Sequence, residues 1–587
     1  MSELTRNDKL VSRKFYQYLL PSIFMIFAMQ FGSLLDGIIV GNFLGNDALS
    51  ATAIVMPILY FIQLPGFALG IGGSIVVANL LGKRDILTAK KVFSLACIIG
   101  MSISFIFTII SFFVCRPIAS AFSQDPVLLE YGYQYIFIYM VTDPVITFVL
   151  LMSSFMAVDN NPKLSSLTLI IGNVVKVALE VLFIKVFNMG MYGAAASTPV
   201  GYFIGAMTVF FYMKSKKRLL SFTFKLKGSQ IKELLKASAS NALNFALAAV
   251  EMLVINIFVA RTITQDLDII IFGLVSNMVF VFDLFAGGIQ NIIPTLCGIF
   301  YGEKDHYSLK SITRKIYIIN IAVTVFFTVF ILALPNVYST IFGYTGSTDT
   351  ERVNFMLRIF VLAFIPYEIN KFITNYYPSI DKPTVSIINV ILKDLVIVLP
   401  VALSLLLTRG LEGYVISQVV TQAAAMIFTY VIILVYQVVK KKPLSIFMFE
   451  KTEFKTFDAS LNNELNNASE ISKQLTDFAL ENNVPNRESQ IVGLASEEVV
   501  NNIITYGYKK NNRQKYIDVN LKINEDTLIL TIRDDGLPFD PTQYEFDDNE
   551  EYSTSGIKLI KSLTDSMSYM RILNLNNTVF ELKIKGE

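Results

Sequence analysis

Residues 14 to 440 are a succession of apolar runs, each roughly 20 to 30 residues long, broken by short polar loops. About 20 apolar residues suffice for a helix to span a bilayer. This stretch is therefore expected to cross the membrane twelve times, from a span at 15–40 to one at 413–439. Residues 443 to 587 are polar, with the spacing of an ordinary globular domain. Only 16% of the chain is charged, against about 25% in soluble domains. The expected fold is a membrane all-α unit, twelve transmembrane helices in two six-helix lobes, followed by a soluble α/β sandwich domain. The domain boundaries are read as 1–213 (first lobe), 214–236 (inter-lobe loop), 237–440 (second lobe), 441–454 (linker) and 455–587 (soluble domain).

The net charge of +2 argues against a nucleic-acid partner; the lipid bilayer is the expected environment. Cys97, Cys115 and Cys297 are scattered in apolar context, without metal or disulfide spacing. His306 reads as a solvated loop residue, and the N-terminus shows no small-residue cleavage site before its first span. Lysine and arginine gather in alternate loops: Arg6 to Lys14, Lys83 to Lys91, Lys214 to Arg218, Lys304 to Lys315 and Lys440 to Lys442. By the positive-inside rule both termini are cytoplasmic, and the membrane is expected to be a bacterial-type inner membrane.

The two halves repeat. LLDGIIVGNFLG at 34–45 faces AVEMLVINIFVA at 249–260, which sets Asp36 against Glu251. GKRD at 82–85 faces GEKD at 302–305, and DNNP at 159–162 is echoed by DKP at 381–383. Parallel six-span repeats are a transporter architecture with the substrate path between lobes. Ionisable residues inside the membrane are costly and mark function by default. Asp36, Glu251, Lys176 with Glu180 four residues on, Lys393 with Asp394, Asp283 and Glu368 are such residues. A buried acid can take up and release a proton, or hold a sodium ion with other oxygens; the alternative is a static ion pair, as in Lys176–Glu180 or Lys393–Asp394.

The stretch LLDGIIVGNFLGNDALSATAIVMP at 34–57 resembles the first-span signature of the multidrug and toxic compound extrusion (MATE) family. PGFALGIGGS at 65–74, GNVVKVALEVLFI at 172–184 and GMYGAAAST at 190–198 continue the likeness over about residues 12 to 440. It implies an antiporter exporting organic cations or other amphipathic compounds against inward H+ or Na+. Carried onto this chain, the first-lobe cation site comprises Asp36, Glu180 and Thr198, with Glu251 the second coupling candidate. The family usually has asparagine where Lys176 stands. A lysine there is a built-in cation that competes with sodium, which favours protons. Flippases for lipid-linked oligosaccharides share the superfamily architecture.

No GxxxxGK[ST] loop exists, which excludes a P-loop motor. In the tail, residues 462–481 place Leu465, Ala468, Ile471, Leu475, Phe478 and Ala479 on one helical face. A second helix at 489–508 turns Ile491, Leu494, Ala495, Val499 and Ile503 to a core and brings Glu498 and Asn502 out together. YIDVNLKI, the turn NED and TLILTIRD read as a hairpin. GIKLIKSLTDSMSY at 556–569 reads as a helix and TVFELKIK as a closing strand. RDDGLPFD gives the spacing Asp534, Gly536, Phe539-Asp540, in which glycine allows close approach of a flat ligand and a carboxylate can accept from an exocyclic amine.

SEEVVNNIITYGY at 496–508, RDDGLPFD and residues 553–569 are similar to the N, G1 and G2 boxes of the gyrase and histidine-kinase ATPase superfamily, in the branch of anti-sigma-factor serine kinases. The resemblance implies ATP and Mg2+, with Asn502 on the metal, Glu498 as general base, Asp534 reading adenine, and Gly536, Phe539 and Gly556 against the nucleotide. It also implies serine/threonine kinase activity and an anti-sigma-antagonist-like protein partner. Thr554 departs from the second glycine usual in the G2 box. Three functions follow: an exporter with a regulatory ATP-binding domain, a membrane-sensor serine kinase, or a lipid-linked oligosaccharide flippase.

Overall fold

The computed structural model describes residues 4–122, 124–215, 218–225, 228–263, 265–342, 344, 349–449, 454–508, 514–543 and 555–584. The chain divides into two compact units. One is Gln17–Met448; the other joins the N-terminal residues up to Tyr16 with Phe449–Glu587.

Among the described residues of the membrane unit and the helix that leads into it, eleven helices are long and apolar enough to cross a bilayer. They are α1 (Lys9–Leu44), α2 (Asn46–Gly82), α3 (Ile86–Phe122), α4 (Pro126–Val158), α5 (Pro162–Val186), α6 (Gly190–Lys214), α7 (Gly228–Thr262), α8 (Leu267–Gly302), α9 (His306–Ala333), α10 (Thr350–Ser379) and the 57-residue stretch Pro383–Val439. That last stretch is two crossings. Gly410 breaks it with φ 61° and ψ −141°, a backbone conformation open mainly to glycine. We call its parts α11 (383–409) and α12 (411–439). Local chemistry sets several of the starts. Asp125 accepts from the amides of Val127 and Leu128 ahead of Pro126, and proline opens α5 and α11, positions where its missing N–H costs nothing.

The sequence repeat is present in the backbone. Arg84 and Lys304 take positive φ at matching points of the GKRD and GEKD loops, as do Asn160 and Asp381 ahead of α5 and α11. Each of those two helices carries a five-residue π-helical turn, Leu182–Val186 and Leu392–Val396. Each lobe has its own apolar core, one around Tyr135, Ile136 and Leu150, the other around Phe282, Phe327 and Phe364. The lobes meet backbone to backbone at the paired loops. A Cβ on Gly82 would lie 2.3 Å from the Ile299 carbonyl and 2.8 Å from the Gly302 Cα; one on Gly302 would lie 2.2 Å from the Asn79 carbonyl. This end of the bundle is closed. The start of the expected linker is tied to the same unit: Gln437 bonds both the amide and the carbonyl of Ser445, and Tyr376 donates to the Phe447 carbonyl.

In the other unit, a five-stranded antiparallel sheet runs in the order β1-β2-β3-β5-β4. Its strands are β1 (Lys455–Asn462), β2 (Tyr516–Ile523), β3 (Thr527–Asp534), β4 (Ser566–Ile572) and β5 (Leu575–Lys583). Helices α13 (Asn466–Glu481), α14 (Asn486–Asn502) and α15 (Ser555–Leu563) accompany it. The expected β2–β3 hairpin forms. Asn524 accepts from the amides of Asp526 and Thr527 within its turn, the bonding that suits asparagine to tight turns. Alternation sends Ala459, Leu461, Val519, Leu521, Leu530 and Ile532 into one core with Ala468, Ile471, Leu475, Ala495 and Val499 from α13 and α14.

Three details differ from the sequence reading. The helix expected over 556–569 stops at Leu563, and 566–572 is strand β4. Asp565 ends the helix by accepting from the Lys583 amide, and Leu573 and Asn574, both at positive φ, turn the chain back into β5. Leu465 and Leu494, expected in the core, are exposed, because α13 begins one residue after Leu465 and Leu494 lies on the outer face of α14. Strand β1, which showed no distinctive signal, forms the sheet edge beside β2.

Candidate functional site

The membrane unit gathers four of the five expected transport residues in the first lobe. Asp36, on α1, receives Lys176 of α5: Nζ lies 3.2 Å from Oδ1. The Tyr135 hydroxyl of α4 lies 3.5 Å from Asp36 Oδ2, and the Tyr139 hydroxyl, one turn on, donates to Thr198 Oγ of α6 at 2.9 Å. Glu180 is fully buried; neither of its carboxylate oxygens meets an N–H or hydroxyl donor, and its polar neighbour is the Asp36 carboxylate. Lys176 therefore pairs across helices with Asp36, and the Lys176–Glu180 pair suggested by spacing does not form. The geometry is a lysine between two acids, one paired and one held without a donor. An unpaired carboxylate in such a place is stable only neutral or with a cation.

The second lobe holds two such clusters. Glu251 of α7 stands near Lys393 and Asp394 of α11, and Lys393 itself is bonded to both oxygens of Asp394 at 2.6 Å. The other cluster joins Asp283 of α8 to Lys371 of α10 at 2.6 Å, with Glu368 3.8 Å from the same ammonium. Gln290 donates to Glu368 at 2.8 Å, and Gln30 of α1 reaches Asp283 at 3.4 Å. Lys371, Tyr135 and Tyr139 escaped the sequence reading. A lone lysine in an apolar run, as in PYEINKFITNYY, was the available signal for the first; the two tyrosines carried none.

In the soluble unit the three motifs converge in part. Glu498 and Asn502 lie one turn apart on α14, and Asn502 Nδ2 donates to Glu498 Oε1 at 3.0 Å. Glu497 instead turns to Ser469 of α13. Gly556, at the start of α15, lies against the Glu498 carboxylate, where a Cβ would come within 2.2 Å of Oε1. Asp534, at the end of β3, is buried and accepts at Oδ1 from the Gly536 amide (2.6 Å) and Asn576 Nδ2 (2.9 Å). Burial pushes its carboxyl up to about 6 from 3.8, against the pull of those two bonds. Asn576 also donates to the Leu537 carbonyl, and Leu537 donates to the Gly507 carbonyl, so the loop after β3 is tied to β5 and to the π-helical turn Ile503–Gly507 that follows α14. A Cβ on Gly536 would meet that same Gly507 carbonyl at 2.8 Å. Phe539 is 45% exposed on this loop. Thr554, the expected departure in the G2 box, lies outside the described residues. The donor set suits a nucleotide: a carboxylate for an exocyclic amine, an amide oxygen for a hard cation, and glycines at close approach. Asn502, Glu498, Asp534, Gly536 and Gly556 are the residues that would hold it.

A two-lobed bundle with buried acid–lysine clusters, followed by a small ATPase-like domain, defines a transporter-type membrane protein with a nucleotide-site module. The MatE family profile matches residues 21–182 and 241–404, more than half of the chain, and the histidine kinase-like ATPase domain profile matches 461–580. The chain belongs to the MatE family and ends in a histidine kinase-like ATPase domain. Among curated relatives it is 24% identical over 424 residues to the multidrug export protein MepA of Staphylococcus saprophyticus, covering 69% of this chain and 92% of that protein. It is also 24% identical over 410 residues to MepA of Staphylococcus haemolyticus, covering 67% and 88%. Its fold is similar to the MATE multidrug transporter DinF-BH in complex with R6G, with TM-score 0.68 and 21% identity over 76% of this chain and 100% of that one. It is similar too to an outward-facing multidrug resistance MATE family transporter, with TM-score 0.65 and 18% identity over 75% and 100%.

Proposed function

We propose that the chain is a secondary-active exporter of amphipathic organic cations, driven by inward protons, with a cytoplasmic domain that binds Mg-ATP and regulates it. The observation that carries the reading is the first-lobe site, in which Glu180 is fully buried beside the Asp36 carboxylate with no N–H or hydroxyl donor while Lys176 occupies Asp36. Glu180 in that setting is a proton carrier. Lys176 already supplies the positive charge that a sodium ion would bring, which favours protons over sodium. A charge moving inward across about 100 mV yields roughly 2.3 kcal/mol, enough for a concentration ratio of about fifty. Glu251, beside Lys393 and Asp394, is the second coupling candidate, and the Asp283–Lys371–Glu368 cluster is a third place where a cation can exchange with a lysine.

Both termini and the closed end of the bundle are assigned to the cytoplasm on the loop charges, which makes this an arrangement closed on the cytoplasmic side of a bacterial-type inner membrane. In the soluble domain, Asn502 is the Mg2+ ligand, Asp534 and Gly536 receive adenine and Gly556 lines the phosphate side. A second reading for this domain is phosphotransfer to a serine of a cytoplasmic protein, with Glu498, held beside Asn502 and Gly556, as base. An oligosaccharide flippase is less well supported, since Lys176 and Lys393 are both engaged by acids and would not meet a lipid phosphate.

The test is efflux of a fluorescent organic cation from proteoliposomes after a proton jump or a sodium jump, with and without Mg-ATP on the side of the soluble domain. Efflux after the proton jump alone, altered by ATP, is the expected result. Efflux that ignores both gradients sinks the reading.

A further inference from the structure

The first residues of the chain are built into the ATPase-like domain. Leu4 packs on its apolar core, and its amide donates to Gln474 of α13. Thr5 accepts from the Ser460 amide on the edge strand β1, and Asn7 exchanges two bonds with the Ser460 hydroxyl. Arg6, its side chain only 3% exposed, lies 3.3 Å from Asp458 of β1 and 3.1 Å from Asp518 of β2. Strand alternation places Asp458, Ser460 and Asp518 on the face opposite Ala459, Leu461 and Val519, which the helices cover. Arg6 and Asn7 thus lie on the polar face of the sheet, while Leu4 reaches the apolar core on the side of the helices.

The contacts continue into the first turns of α1. Lys9 donates to the Tyr516 hydroxyl at 2.8 Å, and Lys14 to the Asn574 carbonyl, in the β4–β5 turn, at 3.2 Å. Arg13 donates to Asp535 Oδ2 at 2.6 Å, and Lys515 stands 3.4 Å from the same oxygen. Asp535 directly follows Asp534, the residue assigned to adenine, and precedes Gly536. Helix α1 then runs without interruption from Lys9 to Leu44 and carries Asp36.

We propose that residues 4–14, clamped through Arg13 to Asp535, are a lever that passes nucleotide occupancy of the Asp534–Gly536 loop to α1 and so to the cation site at Asp36. This rests on the reading of the soluble domain as a nucleotide site. A ligand settling against Gly536 shifts the loop that also holds Asp535, and the Arg13 guanidinium follows its partner. Arg13 is a positioning residue, apart from the groups that would touch nucleotide or cation. Couplings between distinct sites commonly reach 1–3 kcal/mol, or about 5- to 150-fold in affinity.

The experiment uses the full chain in proteoliposomes, with TNP-ATP and Mg2+ as the binding probe and efflux of a fluorescent organic cation as the output. Wild-type protein should bind TNP-ATP, change its efflux rate at least about fivefold with Mg-ATP, and show altered amide exchange over residues 4–14. Arg13→Ala should bind TNP-ATP within about threefold of wild type yet lose the efflux response and the exchange change, because Lys515 stays 3.4 Å from Asp535 Oδ2 and still neutralises that nearly buried carboxylate. The charge swap Arg13→Asp with Asp535→Arg should restore the response. A full response in Arg13→Ala overturns the lever and leaves the nucleotide site standing. A wild type that binds no TNP-ATP overturns both. Should Arg13→Ala fail to fold, Arg13→Lys, which keeps the charge and shortens the fork, must weaken the response or the lever falls.

Discussion

Replacing Gly82 with alanine should open the closed end of the transporter. In a helix interior this substitution ordinarily stabilises by about 1 kcal/mol. Here the new Cβ would lie 2.3 Å from the Ile299 carbonyl, 2.8 Å from the Glu303 amide nitrogen and 2.8 Å from the Gly302 Cα, all main-chain atoms. No rotamer change can relieve contacts of that kind, so the lobes must separate locally. Overpacking of a close contact costs about 1–3 kcal/mol, and the cost falls only on the closed state. The population ratio of open to closed at this end should rise roughly 5- to 150-fold. Spin labels at Lys83 and Lys304, both exposed at this end, report the change by double electron–electron resonance. Wild type should give one short, narrow distance; Gly82→Ala should add a longer component, and Gly302→Ala, which meets the Asn79 carbonyl from the other lobe, should do the same. Gly273, with nothing within 4 Å of its would-be Cβ, is the control. A Gly82→Ala distribution that superimposes on wild type refutes the closure argument.

Other expectations follow from the same geometry. Lys176→Met removes the ammonium 3.2 Å from Asp36, so sodium-driven efflux should appear in the variant and be absent in wild type; indifference to sodium in both contradicts the built-in-cation idea. Asn502→Ala removes the donor to Glu498 and should weaken Mg-dependent TNP-ATP binding at least about tenfold, about 1.4 kcal/mol, without changing the far-ultraviolet circular dichroism. Asp534 carries a folded-state pKa raised to about 6 from 3.8. The folded domain binds more protons than the unfolded chain between those values, so stability falls as pH climbs through that window and stays lower above it. Asp534→Asn abolishes the deficit while keeping an acceptor for Gly536 and Asn576. The variant should therefore unfold later than wild type at pH 7.5, by up to about 3 kcal/mol, with no gap near pH 4, and should bind TNP-ATP less well. A gap independent of pH would show that burial of the charge is not the cause.

The membrane architecture was legible because hydrophobic length carries it directly, and the repeat emerged because GKRD and GEKD occupy matching turns with matching positive-φ residues. The identity of the buried acids was legible for the same reason: a charge in an apolar run stands out. Which partner each acid takes was not. Lys176 and Glu180 share a helix face by spacing, yet the lysine reaches across to Asp36, a choice that depends on the packing of α1 against α5. Strand β4 was hidden because SMSYM follows an amphipathic helix without a glycine or proline to mark the break; the Asp565 bond to the Lys583 amide ends that helix only in the tertiary fold. The N-terminal segment was the hardest to see. Arg6 and Asp458 are 452 residues apart, and nothing local to either announces the pair. In the soluble domain, the motif spacings pointed to Glu498, Asn502, Asp534 and Gly536 as candidates, whereas Asn576, which holds Asp534 from the neighbouring strand, had no motif to point to it.

The account centres on proton exchange at Glu180 beside the Asp36–Lys176 pair, and its most direct test is efflux of a fluorescent organic cation from proteoliposomes after a proton jump, comparing wild type with Asp36→Asn, which frees Lys176 to neutralise Glu180 four residues on. The substitution preserves shape and a hydrogen-bond acceptor while removing the charge that pairs with Lys176 at 3.2 Å. The account predicts that proton-driven efflux disappears in the variant while the protein stays folded and monodisperse in detergent. Proton-driven efflux at the wild-type rate in Asp36→Asn would contradict it.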